Sequence, residues 1–236
     1  MQILDHIPFH PTPDDVMRHL RVHPDSEDAQ RLARLLDQVT AIARPKALFR
    51  VCYVRGRTSN TVDIEGILFT SRVLRVNLDQ VHRVFPYLAT CGRELDDLPG
   101  TESDPLSAYW LEEIKVMALG RAMACVREHV AATHAPGKLS AMAPGSLEDW
   151  PITQQRPLFS LLGDVESAIG VTLTDSFLML PLKSISGMLF PTETTFESCR
   201  LCPRERCEGR RAPYDEHLWQ QRYAETQPDN HSCPGN

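Results

Sequence analysis

The stretch Leu173–Gly187, LTDSFLMLPLKSISG, decides how the rest of the chain is read. Its apolar residues are interrupted at Pro181, which has no amide hydrogen to give to a sheet ladder. Val171, Leu173 and the run Phe177–Leu180 therefore read as short strands ending at that proline, with a further strand over Ile185–Phe190. The two polar positions Asp175 and Ser184 suit hydrogen bonding to a turn or a strand end. Just upstream, residues 138–151 read KLSAMAPGSLEDWP, a loop built around Pro144-Gly145, followed by a helical segment Thr153–Leu162 that Pro157 must start late or kink.

Further upstream the pattern alternates between the two elementary periods. Asp104 and Pro105 form a cap and first turn for a long helix with Leu106, Trp110, Ile114, Met117, Ala118, Ala122 and Cys125 on one face. Small residues at Ala118, Gly120, Ala122 and Ala124 are expected to let another element approach it closely. Before it, an apolar run Tyr87–Cys91 leads into Gly92. Leu48–Arg55, Thr61–Phe69 and Val73–Leu78 are rich in branched and aromatic residues and are expected to form antiparallel strands. Nearest the N-terminus, Ser26 caps a helix with Leu32, Leu35, Leu36, Val39 and Ile42 at helical spacing, ended by Pro45. The fold class is α+β, an antiparallel sheet with flanking helices. At 236 residues, 42% of them hydrophobic, the chain can bury roughly 70% of its unfolded surface.

Downstream of the deciding stretch, residues 198–211 read SCRLCPRERCEGRR and hold Cys199, Cys202 and Cys207, three of only seven cysteines. A Cys-x2-Cys pair sets two thiolates on one tight turn, and a third a few residues on can close on the same ion or cluster. A disulfide or free thiols are the alternatives. For a fourth ligand, Cys233 comes first, then His217, His231 or one of Cys52, Cys91 and Cys125. Arg200, Arg204, Arg206, Arg210 and Arg211 surround the thiols and favour their charged form. The N-terminal MQILDHIPFHPTP has none of the features of a secretory signal, so a cytoplasmic location, where clustered cysteines bind metal or react, is expected. No run approaches the ~18 apolar residues of a membrane span. A net charge of -6 argues against nucleic acid as a partner. Asp175 and Ser176 are adjacent, with no histidine arranged about them, and His6, His10, His19 and His23 read as exposed, so hydrolytic catalysis has no support.

Leu173–Gly187 resembles the signature of the activation (reactivation) domain of vitamin B12-dependent methionine synthase, a Leu-Thr-acidic-Ser run followed by a Ser-hydrophobe-Ser-Gly strand. The N-terminal helix, the strands, the ATCGREL segment at Ala89–Leu95, the Ala-rich helix and Pro144-Gly145 occur in the family's order. The resemblance covers residues 14–190, and 191–236 is similar to an extension seen in some free-standing members. It implies a domain that binds S-adenosylmethionine in a shallow groove and presents it to cobalamin carried by a partner, a corrinoid protein or the methionine synthase core. There cob(II)alamin is returned to an active state by one-electron reduction and methylation. Pro144, Gly145, Ser146, Asp175 and Ser184 are the positions the resemblance marks for cofactor binding. The family's loop resembles Arg-x-x-Pro-Gly-Tyr, whereas this chain has Ala141 and Ser146 at the arginine and tyrosine positions. A charged hydrogen-bonded contact contributes about 1.5–3 kcal/mol, so its loss lowers affinity for the methyl donor by about an order of magnitude or more. The cysteines suggest that an iron-sulfur cluster, held by Cys199, Cys202, Cys207 and Cys233, delivers the electron. Zinc in the same place gives the alternative, a non-catalytic stapled module that docks on a corrinoid protein. The spacing differs from the Cys-x3-Cys-x2-Cys of radical S-adenosylmethionine enzymes.

Overall fold

The computed structural model describes residues 1–96, 98, 104–207 and 209–224. In chain order the elements are β1 (Gln2–Leu4), α1 (Pro13–Leu20), α2 (Glu27–Ile42), β2 (Lys46–Phe49), β3 (Cys52–Arg57), β4 (Thr61–Ile64), β5 (Ile67–Thr70), α3 (Arg72–Asn77), β6 (Arg83–Thr90), α4 (Pro105–Thr133), β7 (Leu139–Met142), α5 (Gln155–Leu162), α6 (Val165–Ile169), β8 (Thr172–Leu173), β9 (Met179–Leu180) and β10 (Ser184–Pro191). A curled antiparallel sheet is built on β6, which carries β10 on one edge and β2 followed by β3 on the other. β7 closes the β10 side, while β1 pairs β2 and the β4–β5 hairpin extends β3.

The register explains a gap in the strand expected over Leu48–Arg55. Phe49 stands opposite Tyr87 and Cys52 opposite Val84, so the ladder keeps step across Arg50 and Val51. Arg50 N donates to Pro86 O at 3.0 Å, but Pro86 has no N–H to return, and the regular pairing lapses there.

Two other sequence expectations are corrected. Thr61–Phe69 is a hairpin, turned by Glu65 and Gly66 with φ of 54° and 87°, the positive pair a two-residue turn requires. Glu65 tolerates that backbone because its carboxylate accepts from Tyr53 N at 3.0 Å and from Arg55 Nη2 at 2.7 Å. Val73–Leu78 belongs to a helical segment rather than a strand. Ser71 Oγ accepts from Leu74 N at 2.9 Å, and Asp149, far along the chain, takes Arg72 N at 3.1 Å and Val73 N at 2.9 Å. With the free N–H groups of the first turn satisfied, the apolar run coils. The helices expected from Ser26 and from Asp104-Pro105 form with those caps, Ser26 Oγ accepting from Ala29 N and Asp104 Oδ1 from Leu106 N.

The sheet is covered on both faces. On one, Ala47, Phe49, Phe85, Tyr87, Ala89 and Leu189 pack against Ala122, Val126 and Val130 of α4. Ala118 and Ala122 are fully buried, as the small-residue stripe implied, but Gly120 faces solvent. On the other face Leu48 and Leu88 meet Leu162, Val165 and Ile169 of α5 and α6. Beside them Met142, Met188 and Phe190 pack with Trp150, Leu158 and the C-terminal Phe196, Leu218 and Tyr223. Each large apolar side chain so buried contributes about 1.5–3 kcal/mol. Residues beyond Phe190 thus share this core. Of the strands expected around Phe177, only Thr172–Leu173 and Met179–Leu180 pair. Among the described residues no helix is long and apolar enough to cross a membrane.

Gly187 sits where β10 passes between β6 and β7. A Cβ there would lie 2.7 Å from Met142 O and 2.8 Å from Tyr87 Oη, inside van der Waals contact and partly against backbone. Gly187→Ala is therefore expected to destabilise the protein by about 1–3 kcal/mol, read as a lower denaturation midpoint in urea with an unchanged slope.

Candidate functional site

Pro144 and Gly145 form the corners of a tight turn. Ser146 N donates to Ala143 O at 3.1 Å, and Gly145 has φ of +82°, the geometry of a type II turn with glycine at its third residue. The turn is held from below. Gly145 N donates to Trp150 O at 2.7 Å, and a Cβ on Gly145 would meet Ile152 Cδ1 at 2.7 Å. Trp150 is fully buried, with its ring edge-on to Phe69. Asp149 joins the turn region to α3 through Ser71 Oγ and the two amides already described.

The C-terminal segment is laid across this turn and held at both ends. Phe196 N donates to Ser140 Oγ at 2.7 Å, and at the far end Arg72 Nε donates to Tyr223 O at 3.0 Å while Tyr223 Oη donates to Asn77 Oδ1 at 3.1 Å. Between them the guanidinium of Arg210 donates to the carbonyls of Cys199 (3.2 Å), Cys202 (3.4 Å), Ala212 (3.3 Å) and Arg204. One cation thereby gathers the loop that carries the thiols. Arg200 and Asp215 pair at 2.7 Å, and Asp215 Oδ1 accepts from His217 N and Leu218 N at the start of the last helical turn, Trp219–Tyr223.

Turn and segment together enclose a cavity of about 810 Å³. Gly145, Ser146 and Glu148 line one side, and Cys199, Cys202, Cys207, Arg204, Tyr214 and Trp219 the other. The expected loop residues and thiols, far apart in sequence, share one site.

The remaining expected residues lie elsewhere. Asp175 is on the exposed β8–β9 hairpin, paired with Arg156 at 3.0 Å. Ser184 Oγ donates to Pro181 O at 2.7 Å and shares a 2.9 Å hydroxyl–hydroxyl hydrogen bond with Thr90 Oγ1, tying the end of β10 to β6. Ala141 packs with Leu139 and Leu189 in the α4-side core, while its neighbour Met142 packs on the cavity-side face of the sheet. Lys138 lines a second cavity of about 920 Å³. Tyr214 and Trp219 were not anticipated. Their only sequence signal is that of large aromatics in a polar tail, which becomes meaningful once the segment folds back.

The thiols differ in chemistry. Cys199 Sγ accepts from Arg211 N at 3.4 Å, and backbone donors, Arg211 first, hold its pKa below the ordinary thiol value. Burial pushes Cys52 up to about 11 and Cys91 up to about 12, and raises Cys125. Cys91 and Cys125 lie in other cores, whereas Cys52 is fully buried in the core against which Cys202 packs. Cys233 and His231 lie outside the described residues, and His217 is exposed and does not line the cavity. The three cavity thiols are free and of the soft donor type that suits zinc or an iron-sulfur cluster. Among the described residues, however, no three Cys, His, Asp or Glu side chains converge on one point as ligands of a single ion. Donor chemistry fits such a group; convergence would require the loop to close further or to receive a ligand from the tail.

A family model of the vitamin B12-dependent methionine synthase activation domain matches residues 142–203, from the strand before the Pro-Gly turn to the second cysteine of the run. Among solved structures, the crystal structure of the MetH reactivation domain bound to AdoHcy matches with a TM-score of 0.60 at 17% identity, over 84% of this chain and 80% of that one. The chain has that domain's fold. No curated protein sequence is matched.

In reduced, metal-free protein, iodoacetamide is expected to modify Cys199 with a pH profile below that of an ordinary thiol, and Cys52 and Cys91 only on unfolding. Peptide mass mapping of the alkylated chain across pH checks this.

Proposed function

We propose that the protein activates a cobalamin-dependent methyltransferase of the methionine synthase type, returning inactive cob(II)alamin on a partner protein to its working state. The observation that carries this reading is the cavity in which Gly145 and Ser146 face Cys199, Cys202 and Cys207 across a fold of the reactivation-domain type. The partner is the cobalamin-bearing module of a methionine synthase or another corrinoid protein, which would dock at the mouth of this cavity.

The reaction needs an electron and a methyl cation equivalent. One electron converts cob(II)alamin to cob(I)alamin, and transfer of the methyl from a sulfonium donor to cobalt releases the thioether and makes an uphill reduction irreversible. S-adenosylmethionine is the donor that fits, since the structural relative was solved with AdoHcy, the product of such a transfer. The protein's part in methylation is positioning and exclusion of water. The type II turn, pinned on Trp150, presents the Gly145–Ser146 edge as a fixed floor, and the anchored C-terminal segment forms the wall.

Cys199, Cys202 and Cys207, with Cys233 as fourth ligand, would hold an iron-sulfur cluster that supplies the electron when bound. The backbone donor to Cys199 and the arginines of the loop suit an anionic group of that kind. A second reading has support in the packing of Phe196, Leu218 and Tyr223 into the core, because a segment so anchored is equally a candidate for stapling by zinc, with the domain acting as a non-catalytic docking module.

Metal and sulfide analysis of protein purified without oxygen separates the two. Iron with matching acid-labile sulfide, and formation of cob(I)alamin absorbance when the reduced protein meets a cob(II)alamin-loaded corrinoid protein, is the expected outcome. Zinc alone, with no cob(I)alamin formed under strong reductant, overturns reductive activation and leaves the stapled module.

A further inference from the structure

The cavity between turn and C-terminal segment has more in it than thiols. Its volume of about 810 Å³ lies in the range of sites that enclose a whole small molecule. Its charged residues fall into two groups. Asp149 is committed to Ser71 and the first turn of α3, and Asp215 to Arg200 and the amides of His217 and Leu218. By contrast, among the described residues the guanidinium of Arg204 and the carboxylate of Glu148 form no ion pair and no hydrogen bond, with each other or with anything else, although both line the cavity. The neighbouring Arg200, Arg210 and Arg211 are all engaged, to Asp215, to loop carbonyls and to Glu197. One unengaged charge of each sign is therefore left facing the same space, Glu148 from the turn region and Arg204 from the cysteine loop. The same wall carries two large aromatic side chains that folding has not covered, Tyr214 at 49% and Trp219 at 37% exposure.

We propose that Arg204, Glu148, Tyr214 and Trp219 form the grip on a zwitterionic amino-acid ligand that carries a flat heteroaromatic ring. The inference rests on the reading of the cavity given above and assigns the residues that select its small ligand. Arg204 takes the carboxylate, its planar fork matching the two oxygens. Glu148 takes the ammonium, and the aromatic wall takes the ring or an adjacent sulfonium by stacking and cation–π attraction. The C-terminal segment thus supplies an arginine and aromatic rings beside a turn whose own positions are Ala141 and Ser146. Neither of those can bind a carboxylate through a charge or cover a ring, and Ala141 packs in the α4-side core.

The test is calorimetric titration of the whole chain with S-adenosylhomocysteine, with adenosine as the ring without the amino acid and methionine as the amino acid without the adenosine. Arg204 and Trp219 are exposed and Glu148 lies on a surface turn, so the variants are expected to fold, with thermal melting as the check. S-adenosylhomocysteine should bind the natural protein. Arg204→Met and Glu148→Gln should each weaken it tenfold or more while leaving adenosine affinity unchanged, and Trp219→Leu should weaken both adenosine and S-adenosylhomocysteine. Unchanged S-adenosylhomocysteine affinity in Arg204→Met and Glu148→Gln overturns this assignment and leaves corrinoid activation standing. So does a natural protein that forms cob(I)alamin on its partner yet binds no S-adenosylhomocysteine. Binding with the expected variant pattern but no cob(I)alamin sustains the ligand grip and sinks the reductive reading instead.

Discussion

β10 is wedged between β6 and β7, and the room it has is set at Gly187. There the carbonyl of Met142 on one side and the hydroxyl of Tyr87 on the other leave no space for a side chain. The approach matters because, among the described residues, β10 is the only strand joining β7 to the rest of the sheet. The Pro144-Gly145 turn leaves β7 directly, so its position is inherited from that close contact. Ser184, at the start of β10, fixes the strand end through Thr90 and Pro181, and buried Ser186 faces Gln155. The Ser-Ile-Ser-Gly pattern thus has a mechanical meaning: two hydroxyls orient the strand and one missing side chain lets it in.

From that scaffold the site is assembled by a segment from the end of the chain. Arg210 makes the decisive local contribution by satisfying several carbonyls of a loop with little regular structure. Those groups would otherwise require water or a strand partner. Arg72 does the same for the carbonyls of Tyr223 and Ala224. Because hydrogen bonds to charged donors are stronger than neutral ones, two arginines suffice to fix a wall that composition alone marks as polar tail. Apolar burial of Phe196, Leu218 and Tyr223 then makes that wall part of the main core, a rigid support for side chains facing the cavity.

Asp149 illustrates how one residue links fold and site. It closes the first turn of α3 and holds the base of the Pro-Gly loop at the same time. It is therefore spoken for, and the free carboxylate of the cavity is Glu148 beside it. Adjacent acidic residues that look interchangeable in sequence are separated by which of them finds amides to cap.

Local signals determined much of this protein by themselves. Ser26 and Asp104-Pro105 started the helices they cap, because capping depends only on residues within a turn of one another. The α+β class, the Pro-Gly turn and the grouping of Cys199, Cys202 and Cys207 were equally legible, being carried by contiguous residues. Tertiary structure alone decided the rest. Val73–Leu78 has a strand-like composition but coils because Asp149 reaches it from another part of the chain. The Glu65-Gly66 turn is hidden because a glutamate with positive φ is tolerable only with Tyr53 and Arg55 beside it. Tyr214 and Trp219 become cavity residues only when the C-terminal segment folds back on the turn. In each case the deciding partner lies on another element of the fold, beyond the reach of local periodicity and spacing, and burial and hydrogen bonding make the choice.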